Sequence, residues 1–297
     1  MRLHHIAIAI LITMVWGLNF VVIHLGLNEI SPQILCFIRF FLASLPIVLF
    51  VKRPSVPFKE IALYSFVMFI LQFTFLFTGM KVGMTAGLAS LLMQTQIFFT
   101  VFLAFSFLGE KLSKWQIIGA LVSFSGIILV GNNLGNNISL LGFILTIAAA
   151  CSWGVGNLIS KRLGKVNMFS LVVWGSFIAW PPLLLVSIII DGLDKLIYSL
   201  EHLSWLSVVS IAYIVYPTTL FGFAAWSWLL SKYPASMVAP FTLLVPIFGI
   251  LSSIIFLGEP LQSWKLIAAA LVISGLCINL LIPRLSVRLS VAKETVI

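Results

Sequence analysis

Ten apolar runs divide the chain, at about residues 6–27, 33–51, 60–80, 86–108, 115–131, 139–160, 168–190, 205–230, 234–257 and 264–282. Most are close to the roughly 20 residues a helix needs to cross about 30 Å of hydrocarbon. Barrel strands would alternate polar and apolar positions over about ten residues, and no run does so. The pattern predicts an all-α integral membrane protein of ten transmembrane helices. The seams at 28–32, 52–57, 132–137 and 191–203 carry turn residues and are too short for a soluble domain. Residues 191–204 read as an external loop with no recognisable function. The first run is long enough to span and lacks an A-x-A-like cleavage site, so it reads as a retained helix.

The runs are not independent of one another. Residues 107–130 match residues 256–279 at a constant offset of 149, with ten identities in 24 positions. Phe107-Leu108-Gly109-Glu110 returns as Phe256-Leu257-Gly258-Glu259, and Trp115 returns as Trp264. Trp16-Gly17 likewise recurs as Trp153-Gly154. A repeat of this length marks one structural unit used twice, over 1–135 and 136–297, with five runs each. Five is odd, so the second unit is expected to be inverted in the bilayer, as in alternating-access carriers.

Charge sets the orientation. With a cytoplasmic amino terminus, all of the 17 Lys and Arg residues except Arg39, Lys81, Lys195 and Lys265 fall on the inner side. The opposite orientation would violate the positive-inside bias, so both termini are expected in the cytoplasm of a multi-pass inner-membrane protein.

Composition agrees, with 61% hydrophobic and 8% charged residues, against about 25% charged in a soluble domain. The net charge of +9 is spread over the seams rather than clustered, which speaks against a nucleic-acid partner. The expected partners are a small-molecule substrate and the lipid bilayer. Cys36, Cys151 and Cys277 lie in apolar runs and read as small hydrophobes. His4, His5, His24 and His202 form no ligand pattern, so neither a metal nor a cofactor is expected.

Two five-helix units, each with a Leu-Gly-Glu-x-Leu turn after its fourth helix, resemble the EamA family of the drug/metabolite transporter superfamily. Further segments are similar to the branch that exports O-acetylserine, cysteine and related amino-acid metabolites. They are Trp16-Gly17-Leu18-Asn19-Phe20, Arg39-Phe40, Gly87-Leu88-Ala89-Ser90-Leu91, Gln94-Thr95-Gln96, Ser152-Trp153 with Gly156-Asn157, and Leu243-Leu244-Val245-Pro246. The resemblance implies a secondary carrier holding its substrate between the halves. The chain departs from its own repeat where Lys111 gives way to Pro260.

Polar residues inside spans are the candidates for a substrate path. Trp16 and Asn19, about 60° apart on one helix, and Trp153 and Asn157, about 40° apart on another, each share a face. An Asn amide both donates and accepts, which suits a zwitterion; the alternative role is helix–helix glue. Gln94 and Gln96 oppose Leu243 and Val245 in the repeat register, so the repeated fold does not require them. In a regular helix they lie about 160° apart and cannot face one cavity. Gln94 is preferred because Ser90 lies on its face. Gln72 is a further single candidate.

Arg39 stands roughly 10 Å into the second span. Its readings are attraction of a carboxylate, or a structural role by snorkelling or pairing with Glu29. Pro240 and Pro246, with Thr242 between them, should break the ninth span; the fourth span has no proline to match. Tyr213, Tyr216 and Trp226 read as aromatic walls or as packing. Glu110 and Glu259 sit at helix ends and read as caps or loop contacts.

The expected function is export of cysteine- or O-acetylserine-like metabolites by alternating access. Efflux of hydrophobic cations would want a buried carboxylate or a strongly aromatic cage, and no Asp or Glu occupies a span centre, which counts against it. An integral-membrane enzyme would need a nucleophile with its base or clustered ligands, which the sequence lacks.

Overall fold

The structure, a computed structural model, describes residues 1–135, 138–164 and 166–294, without the side chains of 235, 236 and 283–294. Asn136, Asn137 and Lys165 therefore lie outside the described residues, as do the side chains of Arg284, Arg288 and Lys293. Among the described residues ten helices are long and apolar enough to span: Leu3–Glu29, Pro32–Leu49, Phe58–Lys81, Ala86–Leu108, Lys114–Gly131, Leu140–Arg162, Met168–Asp191, Trp205–Lys232, Ala239–Leu257 and Ser263–Ile282. We number these as the first to tenth spans. Large apolar side chains such as Leu121, Ile189 and Ile255 face outward, as lipid requires. Thr13, Ser65, Thr95, Ser123 and Ser176 are fully buried between helices.

The boundaries follow from side chains that satisfy backbone groups. Ser31, Ser139, Asn167 and Ser204 accept from helix-start N–H groups. Ser113 and Gln116 form a reciprocal capping box. The fourth and ninth spans end on Gly109 and Gly258, with φ of 67° and 63°, a left-handed stop that glycine adopts without strain. The Gly-Glu turns thus close helices, and they do so twice.

Irregularity repeats as well. The third span widens to a π-helix over Phe66–Leu71 and the eighth over Ile214–Phe221, stretches that overlap in the repeat register. The fourth span tightens to a 3₁₀ turn at Met93–Thr95 and the ninth at Ala239–Leu243, again overlapping. A break was expected only in the proline-bearing ninth span. The fourth makes its own without proline.

The two halves of the chain interlock. The main helix contacts across the centre join the first span to the ninth and eighth, the sixth to the fourth and third, the second to the seventh and the fifth to the tenth. A Cβ on Gly17 would stand 2.5 Å from Phe248 Cβ, and one on Gly154 would stand 2.6 Å from Phe99 Cβ. Phe99 and Phe248 are register mates, and the Trp-Gly pair recurs at a shorter offset of 137, so the same close approach is made twice with the partners exchanged.

The stretch 191–204 is not a plain loop. Gly192, at φ 86°, turns the chain out of the seventh span, and Leu193–Glu201 forms a helix. Leu193, Leu196, Ile197 and Leu200 fall at helical spacing, and Leu196 is buried. Four apolar residues at i, i+3, i+4 and i+7 were enough to predict it.

Candidate functional site

Two chambers lie in series between the units. The larger, about 510 Å³, extends from Trp16, Trp153 and Asn157 to Gln116, Ser160 and Met168, which lie toward the end of the bundle where the chain begins. The smaller, about 100 Å³, continues toward the far end and is walled by Asn19, Arg39, Gln72 and Gln94. Trp16, Gln96, Trp153, Phe223 and Thr242 line both. The larger volume is within the range of about 300–1,000 Å³ usual for small-molecule sites.

Polar ties join the helices at the far end. Glu29 accepts from the Ser204 and Ser207 hydroxyls. Ser31 donates to Asp191 at 2.6 Å, and Lys81 donates to the Leu27 carbonyl at 2.5 Å. The Glu259 carboxylate accepts from the Ala86 and Gly87 N–H groups at 2.8 and 3.4 Å, capping the fourth span from across the molecule. At the near end its register mate Glu110 instead pairs with Lys161, both half-exposed. The two glutamates therefore differ in what they hold. Glu259→Ala is expected to destabilise the fold by about 1 kcal/mol, as loss of a helix cap does. Glu110→Ala should cost only a few tenths of a kcal/mol, as exposed ion pairs do. Thermal denaturation in detergent checks the contrast.

The ten sequence candidates fall into two groups. Trp16, Asn19, Gln72, Gln94, Trp153, Asn157, Thr242 and Arg39 line a chamber. Ser90 and Tyr213 line neither. Ser90 is fully buried against Gly249 and donates to the Gly87 carbonyl, so it packs a helix seam. The Tyr213 hydroxyl donates to the Val15 carbonyl at 3.0 Å and ties the eighth span to the first. Tyr216 is 55% exposed on the outer surface, whereas Trp226 does line the larger chamber. Trp16 offers the chambers its ring only, because its indole N–H donates to the Thr218 carbonyl at 3.1 Å.

The preference for Gln94 over Gln96 needs correction. Both line the smaller chamber, because the 3₁₀ turn at Met93–Thr95 includes Gln94 and ends just before Gln96, so the 100° per residue of a regular helix no longer applies. Gln94 Nε2 donates to the Thr242 carbonyl at 2.7 Å. Gln96 Oε1 accepts from Asn157 Nδ2 at 2.7 Å, and the same Nδ2 donates to Thr100 Oγ1 at 3.0 Å. A polar cluster thus joins the fourth and sixth spans at the boundary between the chambers.

Asn279 was overlooked. It is buried, its Nδ2 has no partner, and it lines the larger chamber. Its register mate is Val130, so the comparison of mismatched halves that singled out the glutamines would have found it too.

Arg39 does not follow its structural reading. It is 2% exposed, so it does not snorkel, and Glu29 is held by serines instead. Nη2 donates to Thr219 Oγ1 at 3.0 Å, within the wide turns of the eighth span. The guanidinium carbon lies 4.0 Å from the Phe73 ring centroid. Nε and Nη1 have no partner, and among the described residues no carboxylate forms an ion pair with Arg39. Withdrawing such an ion from water costs several kcal/mol even after relaxation. Cation–π contact recovers about 2 kcal/mol at best. Asn19 Oδ1 and Gln72 Oε1, in the same wall, also lack partners. The smaller chamber thus holds unmet donors beside unmet acceptors.

Among the described residues no group of three His, Cys, Asp or Glu side chains gathers as a metal site, and no carboxylate lines either chamber.

Comparison with known proteins agrees with this architecture. A probable amino-acid metabolite efflux pump of Escherichia coli (strain K12) is 40% identical over 279 residues, covering 92% of this chain and 93% of the relative. A protein of the same description from Salmonella typhimurium is 39% identical over 278 residues, with the same coverage. A solved crystal structure, 16% identical, matches with a TM-score of 0.62 over 91% of this chain and 94% of its own, which shows a shared fold alone. The model of the EamA-like transporter family matches residues 4–132 and again 140–281. With that model matched twice along ten membrane-spanning helices, the chain belongs to the EamA-like transporter family.

Proposed function

We propose that this transporter exports small amino-acid metabolites, of the cysteine or O-acetylserine kind, across the inner membrane by alternating access. The observation that carries this reading is the pair of chambers between the units, extending toward one end, with polar ties joining the helices at the other. A carrier caught with access to one side should have this form. The charge bias makes the open end cytoplasmic, where an exported metabolite would enter.

The inverted relation of the units, 1–135 and 136–297, belongs to the same proposal. It is supported by the exchanged Gly17–Phe248 and Gly154–Phe99 approaches and by the paired π-helical and 3₁₀ segments. Rocking one bundle against the other would then trade the far-end ties for matching ties at the near end. The efflux-pump descriptions of the two bacterial relatives favour amino-acid metabolites as cargo. Hydrophobic cations are the second reading: no carboxylate lines the chambers among the described residues, which counts against them, while Trp16, Trp153, Phe223 and Trp226 supply the aromatic surface such a cargo would use.

Counterflow in proteoliposomes tests the reading. Labelled cysteine or O-acetylserine is expected to accumulate at least tenfold over protein-free vesicles, whereas labelled organic cations are not. Accumulation of the cations alone would overturn it.

A further inference from the structure

We propose that Arg39 anchors the carboxylate of the transported molecule, and that the smaller chamber is its headgroup site, with Asn19 and Gln72 receiving the ammonium. The assignment deepens the proposed function and rests on it for the identity of the cargo, though not for the class of ligand. Its basis is the inventory of unmet groups. Arg39 Nε and Nη1 are buried donors without acceptors, and Asn19 Oδ1 and Gln72 Oε1 are buried acceptors without donors. All three residues wall one chamber of about 100 Å³. Its complement is a molecule with an anionic acceptor at one end and a cationic donor at the other. An amino acid has that form.

Geometry favours an anchor over a mere buried charge. A guanidinium presents a planar fork that a carboxylate meets with two parallel hydrogen bonds. Thr219 Oγ1 takes one N–H of Nη2 and itself donates to the Ile214 carbonyl at 2.8 Å, which fixes the guanidinium in place. Phe73 lies against the guanidinium, with Phe40 and Phe77 further out. Nε and Nη1 have no partner, and either one makes a carboxylate fork together with the second N–H of Nη2, since Thr219 takes only one. The chamber has room for several waters, on the order of one small zwitterion. Trp16, Trp153 and Phe223 line both chambers, so a side chain would extend past them into the larger one. The carboxylate is therefore a fixed requirement, while side-chain size is selected elsewhere.

The test uses full-length protein in detergent and in proteoliposomes, wild type beside Arg39→Met and Arg39→Lys. In detergent, saturating propionate or alanine is expected to raise the melting temperature of the wild type, and propionamide is not. Arg39→Met should lose that shift, and its ligand-free melting temperature should equal or exceed the wild type, because an unpaired buried charge has been removed. In counterflow, Arg39→Met should carry labelled cysteine at least 100-fold more slowly and Arg39→Lys at least tenfold. The wild type should discriminate against the amide of the same amino acid.

A wild-type protein stabilised equally by acid and amide, or an Arg39→Met protein that transports cysteine normally, would overturn the anchor. So would an Arg39→Met protein with a lower ligand-free melting temperature and an undiminished propionate shift, the pattern of a structural arginine. If wild type and Arg39→Lys show the carboxylate shift but no amino acid accumulates in vesicles, the anchor stands and the proposed cargo falls.

Discussion

Gly275→Val is expected to leave little folded protein. A Cβ at this position would stand 2.2 Å from Ser123 Oγ and 2.4 Å from the Gly119 carbonyl oxygen. The first atom belongs to a side chain that could rotate, but the second is backbone. The fifth and tenth spans would have to separate along their whole contact, which includes the Ser123 hydroxyl's bond to the Val272 carbonyl at 3.0 Å. Overpacking typically costs about 1–3 kcal/mol where side chains can adjust. A clash with backbone should exceed the upper figure. Gly119→Val should behave alike, since its Cβ would lie 2.5 Å from the Gly275 carbonyl. Gly131→Ala is the control: its nearest foreign atom is Phe143 Cζ at 3.9 Å, and alanine favours a helix by up to about 1 kcal/mol. Monodisperse yield and melting temperature in detergent separate these outcomes. A well-folded Gly275→Val protein would show that the two spans do not pack as described.

Asn157→Ala is expected to abolish at least nine-tenths of transport while leaving the fold nearly intact. The side chain holds Gln96 and Thr100 of the fourth span where the two chambers meet. Hydrogen bonds between membrane helices contribute roughly 0.6–2 kcal/mol, so the loss of stability should be small. The functional loss should be larger, because the freed Gln96 can rotate in the path between the chambers. Gln96→Leu should reproduce the defect. Asn19→Ala should cost no stability, since Oδ1 has no partner to lose, yet it should impair transport. Counterflow rates and melting temperatures, read together, check the three variants. Normal transport by Asn157→Ala would make the cluster ordinary helix glue.

Several of these residues were legible before any coordinates. The mismatch of halves pointed to Gln94 and Gln96, and helical spacing placed Asn19 beside Trp16 and Asn157 beside Trp153. Errors came from assuming regular helices. Ser90 supported Gln94 only if the fourth span kept its phase, and it does not. The two glutamines share a chamber because of a 3₁₀ turn that no proline marks. Tyr213 offered no local sign that its hydroxyl would be taken by a carbonyl 198 residues away.

What the sequence determined by itself is the number of spans, the internal repeat of segments and the family. Each depends on properties that repeat along the chain: the length of apolar runs, the left-handed glycine stop before each glutamate, and a constant register. The tertiary structure alone decided which polar groups find partners. From sequence, Arg39 read first as structural, facing Glu29 or the membrane surface, and only second as a ligand contact. Its isolation became visible only when Glu29 was seen to be held by Ser204 and Ser207, and Thr219 was found 180 residues from Arg39 in sequence. Hydrogen-bond satisfaction is a property of neighbours in space. In a low-dielectric interior it is the unsatisfied groups, more than the polar residues as a class, that define what the protein is built to bind.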